Sequence, residues 1–458
     1  MLELVPIALV GWIPVVVGLF LVLPPRRAVI VGFLVAWLFL PMAGIPIKGL
    51  PDYTKMTAAC VGVLLAAFLF DGERLMKLRP GWIDLFMIAW CLCPYVSSIA
   101  NGLGAYDGAS SALAATITWG FPYLIGRVYF GDTVSLRDLA IALFAGGLIY
   151  VPLCLYEIRM SPQLHHTLYG YHAHDFAQTI RMGGWRPTIF MQHGLMVGMW
   201  MAMTALIGLW LCWTKSITSV LRMPAWPLAI VLLVTAILCK SLGAMCLLAG
   251  GLGALGLIKL KHTRLAAVAL LLFPLAYVGL RASGMWDGGQ LLELTGEISA
   301  ERTASLEFRL KNENLLITKA MEQPWTGWAG WGRNRVYDAK GNDLTVIDGM
   351  WIDTLGKYGL LGLGAFLGVF LVPPFLLLYR VSGQAWTLPN LAPVIGLAML
   401  LVLYVIDSLF NAMVNPVYVL AAGGLTGVLL QAQPAAQGAR RRARGAAVGA
   451  VPAPLAPR

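Results

Sequence analysis

Apolar runs of about 20 residues, the length that carries a helix across about 30 Å of hydrocarbon, recur along this chain from its start to about residue 431. Little besides a polytopic membrane fold can absorb them. Only 12% of the 458 residues are charged, against about 25% in an ordinary soluble domain. The solvent of the folded state is therefore largely lipid, and no soluble domain of about 100 residues can be cut out of the chain.

The runs place spans near 3–23, 28–46, 54–71, 81–100, 109–129, 137–157, 190–213, 227–242, 243–260, 265–281, 349–379, 389–409 and 412–431. The expected fold is all-α and polytopic, a bundle of about 12–13 transmembrane helices forming a single transmembrane domain over 1–431. Lys240-Ser241-Leu242-Gly243 reads as a tight turn between two short spans. With the N-terminus outside, Arg26, Arg27, Arg74–Arg79, Lys215–Arg222, Lys259–Arg264, Arg380 and the run Arg440–Arg444 all fall in the cytoplasm, as the positive-inside rule requires. Removing the Lys240 hairpin breaks that agreement. Two long loops, about 158–189 and 282–348, then face outward. The second holds a helix expected to start near Ser299 and to close before Pro324. Residues 432–458 lack apolar periodicity and read as a disordered basic cytoplasmic tail.

The net charge of +11 belongs to this topology signal and not to a nucleic-acid groove. All seven cysteines fall in apolar runs, which excludes a disulfide framework in the loops. Without a basic n-region or small-residue cleavage site, the first run reads as a span and not as a removed signal peptide.

Polar chemistry concentrates in the outer loops. Five of the six histidines lie between 165 and 193; their spacing fits loop packing or substrate hydrogen bonding better than a zinc site, and no metal is expected. Arg181 and Arg186 stand just before a span, and Arg302 and Arg309 share a face if their segment is helical. A guanidinium fork grips phosphate oxygens bidentately and stays charged. The plainer reading makes these arginines solvated charges or partners of Glu301, Glu307 and Glu313. Four of them at the outer interface of a charge-poor protein favour anion binding. Asp348, at the start of a span, fits an N-cap or a general base. Asp353, Asp407 and Lys240 are costly in lipid and should face protein. Trp185, Trp325, Trp328 and Trp331 suit interfacial anchoring first and sugar stacking second.

Four stretches resemble the O-antigen ligase and O-antigen polymerase superfamily. Trp185-Arg186-Pro187-Thr188-Ile189-Phe190-Met191-Gln192-His193-Gly194 is similar to its Arg-Pro segment entering a span. Lys240-Ser241-Leu242-Gly243-Ala244 is similar to its Ser-Arg-Gly-Ala turn, with Leu242 in place of arginine. Phe308-Arg309 through Pro324 and Gly327 is similar to its arginine-led outer helix. Asp348-Gly349-Met350-Trp351-Ile352 through Gly359-Leu360-Leu361-Gly362 is similar to its His-Asn-x-Tyr-Leu…Gly-x-x-Gly motif, with Asp348 where ligases carry histidine. The likeness covers about 180–365.

The resemblance implies a GT-C-like bundle in a bacterial inner membrane and an undecaprenyl-diphosphate-linked glycan as donor, with another glycan or a lipid as acceptor. It implies no cofactor. Under it, Arg181, Arg186, Arg302 and Arg309 bind the diphosphate without a metal. Asp348 is the base, and His193 a secondary base or an orienting group. Trp185, Trp325 and Trp328 can meet sugar rings, and direct displacement inverts the anomeric centre. The aspartate tilts the expectation towards a polymerase and away from a lipopolysaccharide ligase. The rival reading is a secondary transporter or flippase, for which Lys240, Asp353 and Asp407 speak.

Overall fold

The computed structural model describes residues 4–220, 222–296 and 300–431, without side chains at 291, 294–296, 300–303 and 305. The tail over 432–458 and the expected helix start at Ser299 lie outside the described residues.

Among these residues the regular structure is almost all helix, with only short two-stranded pairings besides. In order come α1 (Leu4–Val22), α2 (Pro25–Phe39), α3 (Lys55–Met76), α4 (Asp84–Ala100), α5 (Ala105–Ala115), α6 (Phe121–Tyr129), α7 (Thr133–Met160), α8 (Leu164–Tyr169) and α9 (Gly194–Trp213). Then follow α10 (Ala225–Leu238), α11 (Leu242–Lys261), α12 (Leu265–Ala282), α13 (Gly289–Gly296), α14 (Ala300–Met321), α15 (Met350–Arg380) and α16 (Ala392–Ser408), and last α17 (Pro416–Gln431). Seven helices (α1, α3, α7, α9, α11, α12 and α15) are long and apolar enough to cross a membrane, while α4, α10, α16 and α17 are shorter apolar helices. A helix stands at every one of the expected spans. The run at 109–129 is α5 and α6 joined by a π-turn at Thr116–Gly120.

At three of the helices a side chain takes over unpaired backbone donors at the start. Thr54 with Thr57 and Asp132 with Ser135 form capping boxes at α3 and α7. The chain reverses between α10 and α11 on Lys240 itself, at φ 53°, so the expected hairpin is present. α9 and α16 are buried along almost their whole length and form the centre. α1, α3, α4, α10 and α12 expose large apolar side chains such as Phe68, Leu92 and Val234, a belt that suits lipid and not water.

Hydrogen bonds also join segments distant in sequence. Arg26 meets Asp132 and Asp138, Arg137 donates to the Ser216 carbonyl, and Arg264 to that of Val381. The Met42 amide donates to His165, Asn101 to the Gly327 carbonyl, and Trp331 Nε1 to Asp107.

Two expectations need correction. The second apolar run does not stay helical to 46. Pro41, Gly44 and Pro46 break it, and Gly44–Ile47 instead pairs antiparallel with Leu50–Thr54. Asp348 does not cap α15: Gly349 takes the cap position, and no side chain bonds there.

α15 is also broken. Gly359 sits at φ 63°, and a Cβ there would lie 2.4 Å from the Trp325 backbone. Into the break the 324–329 segment inserts its own hydrogen bonds: Leu360 N to Pro324 O at 2.7 Å, Trp328 N to Gly356 O at 2.8 Å, and Ala329 N to Lys357 O at 2.9 Å.

Candidate functional site

The first group of polar residues is built on Glu157, near the end of α7. Its carboxylate is fully buried and accepts from the amides of Leu164 (2.9 Å), Thr188 (2.8 Å) and Ile189 (2.8 Å). Ile189 is held at φ 50°, a region that β-branched residues avoid. This grip fixes the entry to α9. Just before it, Ile180–Arg181 and Gly184–Trp185 form a two-stranded hairpin. Its Met182-Gly183 turn has positive φ at both residues, which suits the right-handed twist of the strands.

The hairpin delivers Arg186 to the bundle. Arg186 is buried, its amide donates to Thr179 O (2.8 Å), and Nη2 donates to the Lys240 carbonyl (3.3 Å). Its Nε is buried with no hydrogen-bond partner. The aliphatic stem lies so close to Gly194 that a Cβ there would come within 2.3 Å of Cδ. Lys240 reaches back to the Met182 carbonyl (3.3 Å). Arg181 stands exposed on the hairpin. Among the described residues none of these three cations has a carboxylate within salt-bridge distance. Burial, and then the charge of Arg181, bring the Arg186 guanidinium down to about 10. The α9 and α11 N-termini meet here, where a Cβ on Gly198 would collide with Ser241. Two helix N-termini and three uncompensated cations make a site for an anion.

His193 caps α9, its Nδ1 accepting from the Leu195 amide at 3.0 Å. That bond assigns the proton to Nε2, which points at Gln178 Oε1 at 3.4 Å. Burial first, then His174, Arg186 and Arg181, push its pKa down to about 4. His193 is therefore neutral at neutral pH, a donor through Nε2 whose other nitrogen is already used by the α9 cap. The other histidines pack locally. His165 accepts from Met42 N and bonds Tyr171 O, and His166 stacks on His172.

The depressed pKa has a consequence for stability. The unfolded imidazole, near 6.5, binds a proton that the folded one refuses, so the His193 contribution is complete above about pH 6.5 and is lost as pH falls towards 4. His193→Asn keeps a capping oxygen without the titration. Thermal melts should show a smaller loss for the variant than for the native protein between about pH 7 and about pH 4.5. Equal losses would remove His193 as the cause.

The second group lies on α14 and the start of α15. Arg309 Nε stands 3.4 Å from Asp348 Oδ2, each side chain 37% exposed. The pair is set by its neighbours. Asn312 Oδ1 accepts from the Val346 amide (2.8 Å), tying the segment before Asp348 to α14. Glu313, one turn after Arg309, is buried and accepts from Tyr277 (2.9 Å), Arg281 Nη2 (3.0 Å) and Trp351 Nε1 (3.4 Å). Asp407 at the end of α16 is buried, bonded to Asn411 (2.8 Å) and within the field of Arg309.

The expected residues thus fall into two groups. Arg181, Arg186 and His193 come together, and so do Arg309 and Asp348. No hydrogen bond or ion pair joins the groups among the described residues. Arg302 lies in α14, but its side chain is outside what is described. Trp185 packs on Phe176 at 5.5 Å between ring centres. Trp325 is 65% exposed beside the α15 break. Trp328 carries the Lys319 ammonium 3.7 Å above its ring. Of the glutamates set against the arginines, Glu307 pairs with Lys311 and Glu313 with Arg281. Sequence reasoning missed Glu157 and Asn312. A lone glutamate inside an apolar run was the available signal for the first, and a polar triplet, Asn312-Glu313-Asn314, for the second.

The chain matches no family model and no curated protein.

Proposed function

We propose that this protein is a membrane glycosyltransferase that takes a glycan from an undecaprenyl-diphosphate-linked donor, on the outer face of a bacterial inner membrane, and transfers or polymerises it during cell-surface polysaccharide assembly. The observation that carries the reading is the cationic cluster of Arg181, Arg186 and Lys240, without a carboxylate partner among the described residues, at two helix N-termini. The N-terminus is then periplasmic, the C-terminus cytoplasmic, and the bundle has thirteen spans of GT-C-like type.

The chemistry follows from the charges. The donor diphosphate lies against Arg186 and Arg181, which offset the charge that grows on its bridging oxygen as the bond to the anomeric carbon breaks. An acceptor hydroxyl attacks that carbon from the opposite side, its proton passes to the Asp348 carboxylate, and undecaprenyl diphosphate leaves. The anomeric centre inverts. In the resting protein Asp348 is occupied by Arg309. A pair this exposed is worth roughly 0–1 kcal/mol, so a diphosphate oxygen can draw Arg309 away and free the base.

Arg186→Lys keeps the charge and loses the fork. It is expected to lower transfer roughly 10- to 100-fold with the fold intact. The assay is a nanodisc-borne protein supplied with an undecaprenyl-diphosphate oligosaccharide, its products resolved by length. A ladder marks a polymerase and a single transfer to an added acceptor marks a ligase. Translocation of an uncleaved donor would replace this reading with the transporter. The residues that favoured a transporter have local partners: Asp353 with Lys357 and Asn334, Asp407 with Asn411, and Lys240 with the Met182 carbonyl.

A further inference from the structure

A recess of about 580 Å³ opens between the second half of α14 and the 328–337 segment, apart from both groups above. Its volume is that of a small-molecule site. Trp328 and Tyr337 supply aromatic surface, and Lys319, Glu322, Arg333 and Arg335 supply the polar lining.

The walls are fixed before any ligand arrives. Trp328 Nε1 donates to the Lys319 carbonyl (2.8 Å), and the Tyr337 hydroxyl to the Gly332 carbonyl (3.2 Å). The Val336–Leu344 hairpin is closed by Leu344 N to Val336 O (2.9 Å), and its tip by Asp338, which accepts from the amides of Lys340 and Asn342 (2.8 Å each).

The charges sort themselves. Lys319 is bonded to Glu322 at 2.6 Å, and Arg335 to Asp343. Arg333 is exposed and, among the described residues, has no carboxylate within salt-bridge distance. Among the described residues one guanidinium of the lining is thus left without a carboxylate, and it shares the recess with two aromatic rings, Tyr337 and Trp328, the latter with Lys319 over one face. A guanidinium fork selects a planar carboxylate or a phosphate. Aromatic residues with polar tips suit a ligand that is apolar on its ring face and polar at its edge, which a bare phosphate or a lipid headgroup is not.

Resting on the glycan-transfer reading above, we propose that this recess binds a uronic acid residue of the glycan, its carboxylate on Arg333 and its ring against Trp328 and Tyr337. The glycan handled by this protein is thus acidic, and the recess holds the chain at a distance from the bond being made.

The test uses full-length protein in zwitterionic nanodiscs and measures binding of a trigalacturonate, a neutral trisaccharide of the same length, a triglutamate peptide and inorganic phosphate. The trigalacturonate is expected to bind at least about tenfold tighter than the other three, and Arg333→Gln to remove about tenfold or more of that affinity. Lys48→Gln, at an exposed cation outside both groups and the recess, should leave it unchanged. Melting of the exposed-site variant should equal that of the native protein, which separates lost binding from lost folding. Equal affinity for the neutral trisaccharide, the peptide or phosphate, or trigalacturonate binding that survives Arg333→Gln, overturns the proposal. The readout is binding and not turnover. A protein that transfers a lipid-linked donor yet shows no preference for uronate loses only this inference. One that binds uronate through Arg333 and transfers nothing loses the transferase reading.

Discussion

Asp348→Asn is expected to lower turnover of a lipid-linked donor roughly 10²–10⁴-fold, the usual contribution of a positioned base, and at the same time to tighten donor binding. The second effect comes from the pair with Arg309. An asparagine cannot hold a guanidinium by charge, so Arg309 is available to the diphosphate from the start. A fall in kcat together with a fall in KM is the signature of a removed resting-state contact that also served the chemistry. Arg309→Ala should behave in the opposite way, with weakened donor binding and a base that needs no release. Single-turnover transfer, with donor affinity measured separately, distinguishes the two. Undiminished turnover in Asp348→Asn would take Asp348 out of the reaction. The fold should survive, because the side chain is partly exposed and caps nothing.

The largest effect on stability should come from a residue that touches no substrate. Glu157→Ala leaves the amides of Leu164, Thr188 and Ile189 without their acceptor in a buried place. Each orphaned donor costs about 1–3 kcal/mol, and the chain can relax around only some of them. A loss of about 3–5 kcal/mol follows, in the range of a broken buried network. The damage should centre on the entry to α9. With Ile189 released from its left-handed conformation, Arg186 and His193 lose their positions, so a variant rescued by low temperature should still transfer poorly. Limited proteolysis within 160–193, read beside the melting temperature, checks this. Resistance equal to that of the native protein would show that the Glu157 carboxylate does not hold the loop.

Much of the helical layout was legible because lipid leaves the backbone so few choices. Apolar length alone located every helix of the bundle, and the Lys240 turn could be read from a lysine and a serine interrupting one apolar run. What failed was subtler. Residues 40–47 are as apolar as a span, yet Pro41, Gly44 and Pro46 forbid helix, and the Lys48-Gly49 turn that follows was the signal for a hairpin. Candidate site residues were legible as types and not as partners. Nothing in the spacing of Arg309 and Asp348 says that they pair, since the rest of α14 and the whole segment between α14 and α15 separate them. Arg281 and Glu313 also lie far apart in the sequence, on α12 and α14. Ion pairs between helices depend on how those helices pack, and that is written in shapes and not in local pattern.

The break at Gly359 also sets a depth. Residues 360–380 alone measure about 31 Å at 1.5 Å per residue, close to the about 30 Å of a hydrocarbon slab. The piece before the break, Met350 to Tyr358, is surplus to the crossing. It is about 13 Å long and is stitched to the 324–329 segment; with 360–380 placed in the slab it would reach the headgroup layer. That placement would put Asp353 and Lys357 in the interface and not among acyl chains, with Asp348 above them. On the proposed transfer reaction, a polyprenyl anchor confined to the slab would lift its phosphates to this same height, so reaching the carboxylate would take lateral diffusion and no vertical excursion by either partner.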